Sequence, residues 1–388
     1  MKNRHILLLQ WLLCSMLTVL FSACSSSDAA EGPKEATHQQ PQLAIYVYAP
    51  EQAAAKRNGA QTRADVGEVN PVTDEGTIKS LQIWVYESES GAYVGYFSTE
   101  DVAALNSGQG TTYQLPVTDE FAAAKPDVNV YVMANMTNGN YGSAALGENS
   151  SREALLNGAR IIVYFFGLGE LIRNVPSAGL PFSGMLTAQS VVGDAPTLRV
   201  GTTSAVSTVQ LTRAVSKLRF VFAKATGQET VRITSIKMSA GMIPDEEYLF
   251  KTPTSMTYNT AESELLKDPI TDIAETADPT LYLYTDQSAQ AYENLINEAA
   301  NKQPKEVTVE GPIYLRASDR QLAGTITYTI GGGAEQTVPF AMQQAGDFGR
   351  NHTWIVYAYY GGSGNLQVQS LYVKDWSIKE VNHDLYNW

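Results

Sequence analysis

The chain has 388 residues, 44% hydrophobic, 10% aromatic and 17% charged, with a formal net charge of −13. Such a chain has room to bury the cores of two domains, and it lacks the basic face that would release counterions from nucleic acid. Its two cysteines, Cys14 and Cys24, both lie near the start, so everything downstream is without a disulfide framework, a thiolate metal site or a cysteine nucleophile.

The first element is a leader, residues 1–23. Basic residues in MKNRH precede Ile6 to Phe21, which is apolar apart from Gln10, Ser15 and Thr18. This is the pattern of a secretory signal, and it falls short of the roughly 20 apolar residues that cross a bilayer. Ser22-Ala23-Cys24 resembles a bacterial lipobox, which implies that Cys24 is acylated and becomes the mature N-terminus. Phe21 stands where that motif usually has Leu, and ordinary signal-peptidase cleavage is the alternative.

Next comes a strand. Leu43, Ile45, Val47 and Ala49 alternate with Ala44, Tyr46 and Tyr48, the period of a β-strand with one buried face. Behind it lies KRNGAQTRADVGE, Lys56 to Glu68, with three basic residues among small polar ones and nothing to bury. Exposed stretches of this kind are where chains are nicked. A solvated loop that is never cut is the alternative reading.

The following elements are mostly strands. Leu81, Ile83 and Val85 alternate with Trp84 and Tyr86, and Val128, Val130 and Val132 with Tyr131 and Met133. KLRFVF, VRITSIKM, TITYTI and WIVYAYY follow, set apart by Gly, Pro, Asn and Asp. The pattern predicts antiparallel sheets, each with one buried face. Gly331-Gly332-Gly333 after TITYTI reads as a hairpin turn. Helical signals are few: SREALLNGARIIVYFF begins like a helix, and in DQSAQAYENLINEAANKQ residues Ala291, Leu295 and Ala299 share a face beside Ile296. The expected fold class is all-β, two antiparallel β-sandwich domains with a few short helices. The expected division is 24–63 for a propeptide with the first strand, 64–207 for an N-terminal sandwich and 208–388 for a C-terminal one.

Chemistry-bearing motifs are absent. His38, His352 and His383 are widely spaced, and the chain has no HExxH, GxSxG, Walker A or GxGxxG pattern. Asp245-Glu246-Glu247 reads as a solvated loop rather than a calcium site. No catalytic residue, cofactor or metal is expected.

Five stretches in order, VNVYVMAN (Val128–Asn135), LPFSGM (Leu180–Met185), VQLTRAVSKLRFVF (Val209–Phe222), FGRNHTWIVYAY (Phe348–Tyr359) and a tail through DW to a terminal Trp, make the chain similar to a fimbrillin. The resemblance is to the FimA-type major (stalk) subunits of type V pili of Bacteroidales. It spans nearly the whole exported chain, although Leu249–Leu281 has no counterpart. The resemblance implies a surface lipoprotein precursor of the outer membrane, acylated at Cys24 with a chain such as palmitate. An arginine-specific extracellular protease would cut it at Arg63-Ala64, with Arg57 and Lys56 as weaker sites. It would then polymerise by strand exchange with copies of itself and with tip and anchor subunits, serving adhesion.

The physics of that exchange stands apart from the family. Loss of Leu43, Ile45, Val47 and Ala49 would uncover unpaired backbone and an apolar groove, a template for another chain. Burying each such side chain is worth roughly 1.5–3 kcal/mol. The replacement is expected from the tail. There Leu366 and Val368 share one phase, Leu371 and Val373 the other, and Trp376 and Ile378 return to the first. Val381, Leu385 and Trp388 extend the apolar character to the end, where chains normally fray. A strand of the chain's own second domain is the alternative for this tail. Head-to-tail insertion is heterologous and yields an open filament. Rival readings are a tip or anchor subunit of the same pilus, or a surface glycan-binding lipoprotein.

Overall fold

The computed structural model describes residues 39–49, 74–162, 174–276, 308–342 and 348–373. From Gln40 onward they belong to one compact unit. Its first half runs β1 (Gln42–Tyr48), β2 (Leu81–Glu87), β3 (Tyr93–Thr99), α1 (Ala103–Asn106), β4 (Thr111–Pro116), α2 (Asp119–Ala124) and β5 (Val128–Ala134). Then come α3 (Arg152–Gly158), β6 (Arg160–Ile162), β7 (Phe182–Gln189), β8 (Val191–Asp194), β9 (Thr197–Val200), β10 (Thr208–Gln210) and β11 (Thr212–Arg213). The second half runs β12 (Ser216–Ala225), β13 (Val231–Met238), β14 (Glu246–Tyr248), β15 (Ser263–Glu264) and β16 (Glu275–Thr276). It closes with β17 (Thr308–Leu315), β18 (Ala323–Ile330), β19 (Gln336–Ala341), β20 (Thr353–Tyr360) and β21 (Gln367–Val373).

The fold is all-β. In the first half one sheet has the order β10-β1-β9-β8 with β4 also on β1, and the other runs β11-β7-β5-β2-β3. Their apolar faces share one core, containing Leu43, Ile45, Val47, Ile83, Val85, Val130 and Val132. In the second half β16-β12-β20-β21, with β17 on β12, faces β15-β13-β18-β19 around Phe220, Phe222, Ile236, Ile326 and Trp354. Gly331 and Gly332, at φ 58° and 73°, make the expected turn between β18 and β19, a conformation open to residues without a Cβ. α3 forms the predicted helix, its N-terminus capped by Ser151 Oγ, which accepts from Ala154 N–H at 3.1 Å. The second expected helix, 286–303, lies outside the described residues.

Two features go beyond the sequence pattern. Most strand pairs are antiparallel, but β1 pairs parallel with β9 and β10, and β12 pairs parallel with β16 and β20. Alternation in one strand is the same whichever way its neighbour runs, so direction cannot be read from it. In addition, β2, β5, β12 and β20 are buried along both faces except at single end residues. Trp84 and Tyr86, expected to face solvent, donate instead to the carbonyls of Gly147 (3.0 Å) and Ser150 (2.7 Å). Tyr131 meets Phe250 edge-on, with ring centroids 5.1 Å apart.

Phe250 arrives on a strap from the second half. β14 pairs with β6, Leu249 N–H donates to Ala159 O at 2.9 Å, and Leu249 and Phe250 enter the first core. Glu246 meets Arg160 at 2.8 Å, and Glu247 accepts from Arg350 Nε and from Ala317 N–H. The reading of Asp245-Glu246-Glu247 as a solvated loop is therefore corrected: two of its three carboxylates tie the strap down.

Candidate functional site

Strand β1 is a central strand. β4 runs antiparallel along all but its last residue, from Gln42↔Pro116 to Val47↔Thr111. The opposite edge is shared end to end: β9 pairs with Gln42 to Ala44, and β10 with Tyr46 to Tyr48. These two strands act as one edge because residues 201–207 loop outward and the neck closes with Ser207 N–H donating to Val200 O at 3.0 Å. Gly201 sits in that neck at φ 139°, where a Cβ would lie 2.3 Å from Ala205 O. Any side chain there would force the loop open.

Across this seat the inward rows match. Leu43 stands between Leu115 and Leu198, Ile45 faces Tyr113, and Val47 faces Val209. Leu43, Ile45, Val47 and Ala49 are all at most 2% exposed. The outward rows are polar: Ala44 lies between Gln114 and Arg199, and Tyr46 between Thr112 and Thr208. Cross-strand pairs of this kind set the register. Among the described residues no side chain of β1 makes a hydrogen bond or an ion pair. Burial pushes the Tyr113 phenol up to about 12, and the Asp101 charge adds to the shift. Its hydroxyl has no hydrogen-bond partner among the described residues.

The chain is gripped again just before β2. Asn135, buried and left-handed at φ 63°, accepts from Lys79 N–H (2.7 Å) and donates to Thr77 O and Leu180 O. Asn106 exchanges two bonds with the Ile78 backbone. Glu75 takes Lys217 Nζ at 2.8 Å and the Tyr314 hydroxyl at 2.6 Å, while its carbonyl accepts from Arg213 Nε at 3.0 Å. Sequence reasoning missed this grip. Its one local sign was Asn135 ending the apolar VNVYVMA run.

Of the other site residues expected from sequence, Leu371 and Val373 lie in β21, whose backbone pairs Leu371 with Ile355 and Val373 with Thr353 of the chain's own sheet. Cys24, Arg63, Ala64, Trp376, Ile378, Val381, Leu385 and Trp388 lie outside the described residues. Among the described residues no helix is long and apolar enough to cross a membrane.

Residues 52–213 match the family described as major fimbrial subunit protein, FimA. The chain carries a FimA-type fimbrillin region. That region begins behind β1 and ends in β11, so it takes in β4, β9 and β10, the three strands that hold β1. The match covers residues 52–213 of a 388-residue chain, and the family it describes is one of fimbrial structural subunits. Solved structures similar to it include the tip fimbrial protein Mfa3 of Porphyromonas gingivalis, with C-terminal truncation (12% identity, 86% of this chain and 99% of that one, TM-score 0.43). A fimbrial assembly protein of Parabacteroides distasonis is 12% identical over 86% of this chain and 99% of its own, with TM-score 0.45. A fimbrial protein of Bacteroides vulgatus is 10% identical over 85% and 98%, with TM-score 0.41. No curated protein matches the chain.

Proposed function

We propose that the chain is the stalk subunit of a surface fimbrium. In this reading it is exported as a lipoprotein acylated at Cys24 and held at the outer membrane. An arginine-specific protease cuts it after Arg63, and it polymerises head to tail by strand exchange, with tip and anchor subunits closing the filament. A division into two domains belongs to the same reading, with its boundary moved from 207/208 to between β11 and β12, because Thr208–Gln210 pairs with β1 and Thr212–Arg213 with β7.

The observation that carries it is the seat of β1. A central strand without a single side-chain bond is held only by backbone pairing and by three or four apolar side chains. When it leaves, backbone groups are unpaired on both walls of the gap, on β4 and on β9 with β10, and a row of buried apolar side chains is uncovered. Such a slot is more demanding than a free sheet edge, and it accepts one kind of occupant, an extended segment with alternate apolar residues. The grip on Glu75 to Ser80 supports the reading from the other side, because it holds β2 in place whatever happens upstream. Leu371 and Val373 serve their own sheet, so the donor segment is narrowed to Trp376, Ile378, Val381, Leu385 and Trp388.

The test uses purified precursor and an arginine-specific protease. The intact chain is expected to yield a fragment starting at Ala64 and filaments visible by electron microscopy. A chain truncated after Glu380 is expected to keep its thermal midpoint, to be cut, and to form no filament. Normal polymerisation of the truncated chain would overturn the reading, as would surface polymer whose subunits still begin at lipidated Cys24.

A further inference from the structure

We infer that an open cleft beside α3 is a binding site for a carboxylate-bearing saccharide. The cleft encloses about 600 Å³ and lies where the β2–β3 turn, α3 and the strap from the second half converge. Its volume falls within the usual range for ligand sites, roughly 300–1,000 Å³. None of its lining residues belongs to β1, β4, β9 or β10, so the inference stands independently of strand exchange.

Two cations face the cleft, Arg152 and Lys251, in a chain whose net charge is −13. Neither has a carboxylate partner within ion-pair distance among the described residues. Each is nevertheless held in place. Arg152 Nη1 donates to Ser88 O at 3.2 Å, and its buried Nε has no hydrogen-bond partner among the described residues. Lys251 Nζ sits 4.0 Å from the centre of the Tyr248 ring and donates to Asn157 Oδ1 at 2.5 Å. That bond fixes the Asn157 amide so that its NH₂ group turns away from Lys251 and is left to donate. A guanidinium and an ammonium held this way are pre-ordered for an anion, and charge-assisted bonds from them are stronger than neutral ones.

The rest of the lining decides what kind of anion. Glu153 is exposed on the cleft wall with no ion pair among the described residues. A lone carboxylate beside two cations repels a polyanion, yet it accepts well from hydroxyls. Together with the Asn157 amide it suits a ligand rich in hydroxyl groups that bears one carboxylate. Leu156 supplies a single apolar contact, enough for the flat face of a sugar ring. An acidic peptide would want either more apolar lining or a free strand edge, and the cleft has neither. The ligand is thus a saccharide with one acidic sugar residue, its carboxylate on Arg152 and Lys251 and its hydroxyls on Glu153 and Asn157.

The experiment is biolayer interferometry of the full chain on immobilised sialyl-lactose, on lactose, and on a glucuronate-containing disaccharide. Both acidic sugars are expected to bind at least about tenfold more tightly than lactose, the effect of one charge-assisted contact. Lys251→Gln is expected to lose about tenfold, and Arg152→Gln a similar factor. Lys125→Gln, which removes a surface pair with Asp194 elsewhere, should change nothing. Lys251 projects from the strap surface, so its variant carries the test even if Arg152→Gln fails to fold. Equal binding of lactose and sialyl-lactose would overturn the inference. So would the absence of binding to any of the three, or unchanged binding by a natively folded Lys251→Gln chain.

Discussion

β1 and β12 occupy the same kind of place. Each is a central strand with one partner along one edge and two partners sharing the other. They are held very differently. β1 has 7 residues, buries only its inward row and makes no side-chain bond, whereas β12 has 10 residues with all but the last buried. β12 also carries Lys217, fully buried, which meets Glu75 across 142 residues of sequence. Its Lys224 reaches Asp272 at 2.8 Å. On the proposed exchange, the strand to be given up rests on non-directional contacts which another strand can reproduce. A strand that must stay is also stapled by bonds that no substitute strand would offer.

The sharpest way to break this comparison is Lys217→Met, which leaves the Glu75 carboxylate buried and without its ammonium partner. It is expected to destabilise the whole unit by about 3–5 kcal/mol, the usual cost of orphaning one member of a buried pair. Urea denaturation measures it, and a loss below about 1 kcal/mol would show that β12 is not stapled as described.

Ile45→Ala comes next. Removing a buried methylene and two methyls costs about 2–4 kcal/mol, and for β1 this loss should appear locally. Hydrogen exchange is expected to quicken at amides of β4, β9 and β10 while those of β5 and β12 keep their protection. If β5 and β12 amides lose protection in parallel, β1 is an ordinary core strand and the contrast with β12 fails.

The smallest effect is alkaline. Tyr113, opposite Ile45, titrates near 10.0 when unfolded and near 12 when folded. Between those values the native state binds more protons than the unfolded one, so stability falls as pH rises above about 10 and this contribution is gone above about 12. Tyr113→Phe removes a buried hydroxyl that has no partner and should flatten that decline while leaving neutral-pH stability unchanged or slightly higher. Thermal midpoints of both chains from about pH 9 to about pH 11.5 decide it. Parallel curves would place the alkaline sensitivity elsewhere.

The same two strands show how far the sequence could be read. In β1 alternation gave the right inward row, because Leu43, Ile45 and Val47 need only a nearby core, and that is a local property. In β12 the identical rule misleads. Lys217 and Arg219 alternate with Leu218 and Phe220 as though facing water, yet they are 0% and 3% exposed. Lys217's partner lies in a segment far upstream, and no local pattern announces it. Trp84 and Tyr86 fail for the same reason, since carbonyls 63 and 64 residues away cover them. In the seat of β1, the occupant was legible and the walls were not. β9 and β10 are short, and they act together only through the loop at Gly201.

The strap of β14, Leu249 and Phe250 has an evolutionary consequence. Whole domains can be exchanged between genes where the joint is an exposed linker crossed by few contacts. Here the joint is woven. The second half plugs Leu249 and Phe250 into the first core and answers Glu75 with Lys217 and Tyr314. A hybrid gene that took its second half from elsewhere would leave a hole beside Tyr131 and a stranded carboxylate at Glu75, unless the newcomer brought its own plug and counterion. Such lineages are therefore expected to vary by substitution on exposed turn positions such as Glu89 and Ser90, and to inherit the two halves together.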